Sequence, residues 1–318
     1  MTEETYTLLN DVGHFVHIYH WFPTTTDTSI KGVVHIAHGM AESAERYAPF
    51  AQKLTDEGFM VYAHDHRGHG KTAPTMDDLG YPGNNGLEGM LDDMKLIREW
   101  ISDRHPSSPL FLFGHSMGSF LTQKMMCVDH DPYAGFLLSG TNGPRAFTGM
   151  ALGIAKLECQ WYGDRHPSKM LNALSFGSFN HKFRPVRTPF DWLTRDEQVV
   201  NAYMENPHCG FLCSAGFFAG LFALLHELHR PELIQRLDPD KPVYIVSGSQ
   251  DPVSHFGTGI RRLVQLYHSA GLRDVEVKVY EGGRHEILNE INRDEVIVDI
   301  LTWLNKKTKN YVAPTKLA

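Results

Sequence analysis

The chain has 318 residues, of which 42% are hydrophobic and 21% charged, and its formal net charge is −7. This composition is that of a soluble globular enzyme and excludes a disordered chain. A negative net charge without clustered Lys or Arg offers no attraction to nucleic acid, so we expect no such partner. The four cysteines form no CxxC pair, and the acidic amino terminus has no apolar segment, so we expect reduced thiols, no secretory signal and a cytoplasmic location.

The predicted elements begin with a hairpin over residues 5–22, in which apolar residues mostly alternate on both sides of a turn at 11–13. Short apolar runs, typical of buried parallel strands, follow at 32–37, 59–63, 109–114 and 135–140. The amphipathic segments between them predict helices that end at Gly58 and before Pro106. The alternation resumes with strands at 242–248 and 275–280 and helices near 256–270 and 293–306. Alternating strands and helices imply a mostly parallel, doubly wound sheet.

Residues 145–238 interrupt this alternation with a helical pattern that is rich in Phe, Met, Leu and Trp. We therefore predict a core of residues 1–144 and 239–318 and a helical cap, or lid, inserted at 145–238. The longest uncharged apolar run, CGFLCSAGFFAGLFALL at 209–225, lies at the lower length limit of a membrane span. Its glycines and the absence of a flanking positive charge argue against a span.

The strongest motif is FLFGHSMGS, in which Gly114, Ser116 and Gly118 form G-x-S-x-G between a predicted strand and a predicted helix. In such an elbow the glycines leave room for the neighbouring backbone, and the serine projects at the carboxyl edge of the sheet. A serine hydroxyl is a weak nucleophile, so it needs a histidine base and an acid that orients the base. Ser116 is the predicted nucleophile.

The partners of the serine are predicted from two other strand ends. Asp251 in VSGSQDPVS and His285 in VYEGGRHEILNE each follow a predicted strand, in the order acid then histidine that elbow hydrolases use. Carboxyl ends of parallel strands meet at one edge, so Ser116, Asp251 and His285 are expected to converge. The alternative acids are Asp238 and Glu290.

An ester hydrolase also needs hydrogen-bond donors for the oxyanion of its tetrahedral intermediate. The backbone N–H that follows the nucleophile belongs to Met117, and the second predicted donor is the N–H of Met40 in HIAHGMAES. The alternative interpretation of this second segment is a simple turn at a strand end.

The chain resembles the monoglyceride lipase and lysophospholipase group of α/β-hydrolases in the stretches HGMAESAERY, AHDHRGHG, GHSMGS, GSQDPV and GGRHEILNE. The resemblance implies an α/β-hydrolase fold with a mostly parallel eight-stranded sheet, flanking helices and a cap after the sixth strand. It also implies ester hydrolysis through an acyl-enzyme, without a cofactor, by Ser116, Asp251 and His285. Ser119 stands where many relatives have glycine, and HGMAES differs from the HGAGEH of mammalian monoglyceride lipases, which leaves the substrate open.

The apolar run at 209–225 carries bulky residues nearly all round a predicted helix, which therefore needs partners on every side. We interpret it as the wall of an acyl-chain pocket, with packing of cap against core as the alternative. Each buried methylene contributes about 0.8 kcal/mol, which favours a lipid ester such as a monoacylglycerol or lysophospholipid. Transient contact of the cap with a membrane or micelle is also expected. The predicted wall residues are Phe211, Phe217, Phe218 and Phe222.

Other functions on this fold remain as alternatives. An amidase or a peptidase like the proline iminopeptidases uses the same triad, although those enzymes usually have tryptophan where Met117 stands. An acyltransferase is a further alternative, because sequence does not show whether a cap excludes water. Dehalogenases and epoxide hydrolases use an aspartate nucleophile, which Ser116 argues against, and an inactive binding protein would be expected to lack a triad residue.

The stretch HDHRGHGKT raises one hypothesis from a different class of enzymes. His64, His66 and His69 have the H-x-H-x-x-H spacing of some zinc hydrolases, but Gly68 replaces the aspartate that such a motif carries, so we expect no metal there. A phosphate-binding P-loop would need glycine in place of Asp65. The remaining interpretation is a structural turn of pattern D-x-R-G-x-G, formed by Asp65, Arg67, Gly68 and Gly70.

Overall fold

The structure is a computed structural model that describes residues 1–10, 12–24, 30–309 and 311. Within these residues the strands form one eight-stranded sheet, in the order β1-β2-β4-β3-β5-β6-β7-β8. The strands β1 and β2 pair antiparallel, as do β2 and β4, and the remaining pairs are parallel. The strand bounds are β1 Thr2–Leu9, β2 Phe15–Phe22, β3 Gly32–Ala37, β4 Phe59–His64, β5 Leu110–His115, β6 Tyr133–Ser139, β7 Val243–Gly248 and β8 Val275–Tyr280.

The helices fall into two groups, one that flanks the sheet and one that lies between β6 and β7 in the chain. Their bounds are α1 Ala48–Asp56, α2 Gly86–Arg104, α3 Met117–Val128, α4 Thr148–Tyr162, α5 Lys169–Phe176, α6 Glu197–Glu205, α7 Ala215–Glu227, α8 Pro231–Ile234, α9 Thr258–Ser269 and α10 Arg293–Lys309. Helices α4 to α8 form the second group. The predicted α/β-hydrolase fold is thus confirmed, with helices inserted after the sixth strand.

The sequence-based elements agree with the structure to within a few residues at each end. The hairpin is present, and β1 occupies one edge of the sheet. Of its predicted turn, Asp11 lies outside the described residues. Every residue of β3, β5 and β7 is buried, which explains why these strands read as continuous apolar runs rather than alternating ones. Strand β8 lies at the other edge and is largely open to solvent.

The sheet is covered on both faces by apolar clusters. One cluster joins α2, α3 and α9 to the sheet, and also includes buried residues of α7. The other joins α1 and α10 to the opposite face. Helix α7 packs mainly against α4 and also contacts α2 and α3, so the insertion is attached to the core. In the described ranges, no helix combines the length and the apolar character that crossing a membrane requires.

Candidate active site

Ser116 occupies the turn between β5 and α3. Its backbone angles, φ 52° and ψ −118°, are ones that a residue with a side chain rarely adopts, and such strain persists only where the surroundings enforce it. Here the neighbouring backbone is very close: a Cβ atom on Gly118 would stand 2.1 Å from the carbonyl oxygen of Ala37. The N–H of Ser116 donates to the carbonyl of Ser139 at 2.9 Å. The geometry is that of the predicted elbow.

His285 and Asp251 lie at the ends of the two last strands and are joined directly. The Nδ1 atom of His285 is 3.0 Å from Oδ1 of Asp251, and both side chains are buried. The same Oδ1 accepts the N–H of Val253 at 2.8 Å, which fixes the carboxylate. The alternative acids are placed elsewhere, because Glu290 pairs with Arg195 and Asp238 accepts the N–H of Asp240.

The imidazole of His285 is more basic than an ordinary histidine. Burial by itself lowers the pKa of His285, but the charge and hydrogen bond of Asp251 oppose it, aided by Glu286 and Glu42, and the result is a pKa above 6.5. The Nδ1 atom faces a carboxylate, so it carries the proton and leaves Nε2 as the acceptor of the neutral ring.

Around His285 the structure places two further rings, from His115 at 4.8 Å and Trp192 at 5.0 Å between centroids. His115 directly precedes Ser116, so the ring of His285 lies against the elbow. Among the hydrogen bonds of the described residues, none joins the Ser116 hydroxyl to His285. Hydrogen bonds of this kind often form with good geometry only when substrate is bound.

The loop after β3 lies beside the serine. A Cβ atom on Gly39 would stand 3.2 Å from Cβ of Ser116. The loop is shaped by Glu42, whose Oε1 accepts the N–H of Gly39 at 2.6 Å, and by Ala41, whose φ is 55°. Within the described part of the chain, the backbone N–H groups of Met40 and Met117 donate no hydrogen bond to protein. Both N–H groups, one in the loop beside the serine and one on the residue after it, are therefore free of protein acceptors.

Comparison with known proteins identifies the family. The family model of serine aminopeptidase S33 (Hydrolase_4) matches residues 28–292. The chain belongs to this family. It is 31% identical over 288 residues to a monoacylglycerol lipase of Mycolicibacterium smegmatis, which covers 88% of this chain and 90% of that protein. Human monoglyceride lipase is 26% identical to this chain over 308 residues, an alignment that covers 95% of this chain and 90% of the human protein.

A solved structure agrees with these relatives. The carboxyl esterase of Bacillus coagulans, determined in complex with glycerol, superimposes with a TM-score of 0.87 at 28% identity, over 97% of this chain and 99% of its own. The resemblance to the monoglyceride lipase group is confirmed, and the protein is a serine ester hydrolase. The roles of individual residues remain our predictions.

In this hydrolase the histidines of HDHRGHGKT are parts of the scaffold. Both ring nitrogens of His64 pair with other histidines at 3.1 Å, and both of His69 pair with backbone groups. Burial lowers the pKa of His64, His66 and His69, so the rings are neutral. In the parts of the chain that the structure describes, no group of three His, Cys, Asp or Glu side chains is arranged to hold a metal ion.

The turn that contains these histidines is held by its acid and its arginine. The Asp65 carboxylate accepts the N–H groups of Ala44 and Lys71, both at 2.8 Å. Arg67 makes two hydrogen bonds to the Asp93 carboxylate. Gly68 has a φ of 69° and lies so close to Tyr81 that a Cβ atom would stand 2.6 Å from its carbonyl oxygen. The turn therefore depends on glycine at this position.

The aromatic residues predicted to line an acyl pocket lie on or just before α7. Phe217 and Phe218 are fully buried, and Phe211 and Phe222 are partly buried against the same cluster. The rings of Phe211 and Phe217 lie 5.2 and 5.7 Å from that of His69, which accepts the N–H of Ala41. The apolar segment thus reaches the loop that carries Met40.

Sequence reasoning missed a buried charge cluster at the same place. Arg46 contacts the carboxylates of Glu42 and Glu286, and Glu286 directly follows His285. All three residues lie inside stretches that carried the family resemblance, HGMAESAERY and GGRHEILNE. Charged residues inside such stretches were the available signal, but their pairing across 240 positions could not be read from the sequence.

We expect Asp251→Asn to lower the pKa of His285 from above 6.5 to below it, because burial remains while the carboxylate is lost. The measurement is an NMR pH titration of the ring, assigned by the signal that disappears in His285→Gln. Asp238→Asn is the matched control and should leave the titration unchanged. An unaltered pKa in Asp251→Asn would contradict the pairing.

Proposed function

We propose that the protein hydrolyses carboxylic esters of lipids through the triad Ser116, His285 and Asp251. The observation that carries the proposal is the hydrogen bond between His285 and Asp251 at the sheet edge that also bears the elbow of Ser116. The geometry supports these roles, because Ser116 is strained and partly exposed, and His285 and Asp251 are buried and joined to each other.

In the first half of the reaction, Oγ of Ser116 attacks the ester carbonyl carbon while Nε2 of His285 takes the hydroxyl proton. The carbonyl oxygen becomes an oxyanion, which the N–H groups of Met40 and Met117 stabilise. Asp251 stabilises the imidazolium that forms. The intermediate then collapses, the bond to the alcohol breaks, and His285 returns the proton to the leaving oxygen, which gives an acyl-enzyme and free alcohol.

The second half repeats these roles with water as nucleophile. His285 takes a proton from water, the hydroxide oxygen attacks the acyl carbon, and the same two N–H groups hold the second oxyanion. Collapse breaks the bond to Ser116 and returns the proton to its Oγ, which releases the carboxylic acid. The raised pKa of His285 suits this task, because the imidazolium is stabilised as it forms.

A lipid ester is the substrate class that the surroundings favour. The relatives named above include a monoacylglycerol lipase and a monoglyceride lipase. The apolar segment with Phe211 and Phe217 reaches the loop of Met40, so an acyl chain bound at the serine would meet aromatic side chains. We propose a monoacylglycerol or a lysophospholipid as substrate and Phe211, Phe217, Phe218 and Phe222 as the residues of the acyl-chain wall.

The family name raises aminopeptidase activity as the second candidate. An aminopeptidase needs a carboxylate that is free to bind the amino terminus of its substrate. The carboxylates beside His285 are those of Asp251, Glu42 and Glu286, and the first is engaged by the histidine. The other two both bind Arg46, so neither is free to take up an amino terminus. Their pairing favours a neutral substrate, and thus an ester, over a peptide with a charged amino terminus.

We propose that residues 145–238 form a cap over the site and that its outer surface contacts lipid. Helix α4 exposes one apolar stripe at helical spacing, Met150, Leu157 and Trp161, exposed by 62%, 48% and 73%, and Phe147, directly before the helix, is exposed by 77%. The apolar run at 209–225 is mostly buried, so this contact belongs to α4 rather than to α7. With four free cysteines, we further propose a cytoplasmic location.

We expect Ser116→Ala to abolish labelling by a fluorophosphonate probe and to lower esterase activity by at least about 10⁴-fold, because no other group can form the acyl-enzyme. Ser119→Ala is the matched control, since this buried serine lies one helical turn away and donates to the carbonyl of Ser116. It should retain labelling and activity. Hydrolysis that persists in Ser116→Ala, or that is lost on chelation alone, would refute the triad.

We expect rates to rise with acyl-chain length because each buried methylene adds about 0.8 kcal/mol of binding energy. The measurement compares 1-monoacylglycerol, lysophosphatidylcholine and p-nitrophenyl esters of short to long acyl chains, with prolyl-p-nitroanilide as the peptidase substrate. A maximum at acetate without activity on either lipid would contradict the lipid assignment, and turnover of the anilide would favour the aminopeptidase.

We expect Trp161→Glu to weaken sedimentation with phospholipid vesicles and to slow hydrolysis of vesicle-borne 1-monoacylglycerol several-fold, because a charge replaces an apolar contact. Hydrolysis of dissolved p-nitrophenyl butyrate should be unchanged. Val298→Glu is the control, since this valine is 60% exposed on α10 against the opposite face of the sheet. Equal effects of both variants would refute a docking surface on α4.

A further inference from the structure

Arg46 makes contacts with three separate parts of the active site. Its guanidinium donates to the carboxylate of Glu42, and two of its nitrogens bind the two oxygens of Glu286 at 2.8 and 2.6 Å. It also lies 4.9 Å from the ring centroid of Tyr203 on α6. Arg46 follows β3, Glu286 follows β8 and Tyr203 belongs to the inserted helices, so these contacts connect elements that are far apart in sequence.

Each of these partners holds a group next to the reacting atoms. Glu42 accepts the N–H of Gly39 at 2.6 Å, which holds the peptide unit between His38 and Gly39, one unit before the one that carries the N–H of Met40. Glu286 is covalently next to His285. The hydroxyl of Tyr203 donates to the carbonyl of Ala41 at 2.8 Å, and Ala41 directly follows Met40 with a positive φ. The guanidinium of Arg46 is therefore linked to the loop of Met40 through Glu42 and Tyr203, and to the loop of His285 through Glu286.

The cluster is more than a surface ion pair. The side chains of Arg46, Glu42 and Glu286 are 13%, 4% and 6% exposed. Buried charges of this kind add little to stability compared with apolar residues of the same volume, so their value lies in the geometry that they impose. The bidentate fork of arginine imposes a fixed distance and orientation, which an ammonium group would not.

We propose that Arg46 is a positioning residue that holds the oxyanion donor Met40 and the base His285 in fixed relation through Glu42 and Glu286. The proposal rests on the ester hydrolysis proposed above. Arg46 itself touches neither substrate nor reacting atoms. Removal of the Arg46 side chain should therefore weaken stabilisation of the transition state. It should leave the acyl-chain pocket, and so substrate binding, unaltered.

The first test is a kinetic comparison of Arg46→Gln with the unaltered enzyme on a soluble p-nitrophenyl ester. Since loss of one oxyanion donor lowers kcat about 10²- to 10³-fold, its displacement should lower kcat about 10- to 100-fold, with KM within about threefold. Affinity for a boronic acid that mimics the tetrahedral intermediate should fall in parallel. The matched control is Arg98→Gln, which breaks a similarly buried two-bond pair with Asp129 outside the site.

Arg98→Gln should lower the melting temperature as Arg46→Gln does while retaining kcat. If both variants lose activity equally, or if Arg46→Gln retains kcat and affinity for the boronic acid, the proposal is wrong. Should Arg46→Gln fail to fold, Glu42→Gln carries the same test, because it keeps an acceptor for Gly39 and loses only the ion pair. Its kcat should fall while KM holds, and an unaltered kcat would overturn the proposal.

The second test is the pH profile of kcat/KM, which a merely structural role would not change. The ionisable groups that face His285 are Asp251, Glu42 and Glu286, which raise its pKa, and His115, whose own pKa burial lowers to about 4. Activity is lost as pH falls through the pKa of His285, because the protonated ring cannot act as base. Arg46→Gln leaves the two glutamates without a counter-charge and should move this acidic limb to higher pH.

Two further variants separate the charge of Arg46 from its geometry. Glu286→Gln should move the acidic limb to lower pH, opposite to Arg46→Gln. Arg46→Lys keeps the positive charge but lacks the two parallel donors of a guanidinium. Its acidic limb should therefore lie where that of the unaltered enzyme lies, while its kcat should stay lowered. An acidic limb that stays in place in both Arg46→Gln and Glu286→Gln would overturn the proposal. If the proposed function itself were wrong, Ser116→Ala would still hydrolyse the ester. If only the role of Arg46 were wrong, Ser116→Ala would be inactive while Arg46→Gln stayed active.

Discussion

The close packing of Gly118 against the end of β3 is the contact on which the active site depends. A Cβ atom at this position would stand 2.1 Å from the carbonyl oxygen of Ala37, so any other residue would push α3 away from the strand. The contact brings the turn of Ser116 beside the loop that follows β3, because β3 and β5 are neighbours in the sheet. Ser116 and the loop that carries Met40 thus lie together only because Gly118 has no side chain.

The charges around the site explain why one histidine differs from its neighbours. His64, His66 and His69 are buried without a carboxylate beside the ring, and their pKa values are lowered. His285 is equally buried, but Asp251 contacts its ring and two glutamates lie near, so its pKa is raised. Desolvation acts on all four rings, and only the nearby negative charge reverses its effect. The difference separates the histidine that we propose as the base from the other buried histidines.

The inserted helices contribute to the site from two sides. Backbone carbonyls of Trp192 and Leu193 accept the N–H groups of His285 and Glu286, and the hydroxyl of Tyr203 holds the loop of Met40. These segments support the reacting loops directly. Helix α4 has a different character, since it packs on α7 and presents exposed apolar residues outward. The contacts with the loops of Met40 and His285 and the exposed apolar surface thus belong to different parts of the insertion.

The sequence by itself determined the elements of the fold, the elbow of Ser116 and the family, because these depend on local patterns: apolar runs, helical spacing and glycines at fixed offsets. It also indicated Asp251 and His285, since strand ends of a parallel sheet share an edge. It left the choice between Asp251, Asp238 and Glu290 open. Only the tertiary structure shows that the carboxylate of Asp251 meets the ring of His285, because this contact depends on how distant segments pack.

The same limit applies to the charged and histidine-rich stretches. In HDHRGHGKT the sequence shows spacing but not the partners of the ring nitrogens, which include His35 and the backbone of Ala41. The bond from Arg46 to Glu286 joins residues 240 positions apart. Such pairings involve one or two side chains from distant segments and leave no periodic trace in the sequence, whereas a strand or a helix repeats its pattern over many residues. The order of strands and helices could therefore be predicted from the sequence, whereas the hydrogen bonds and ion pairs of the site depend on tertiary packing.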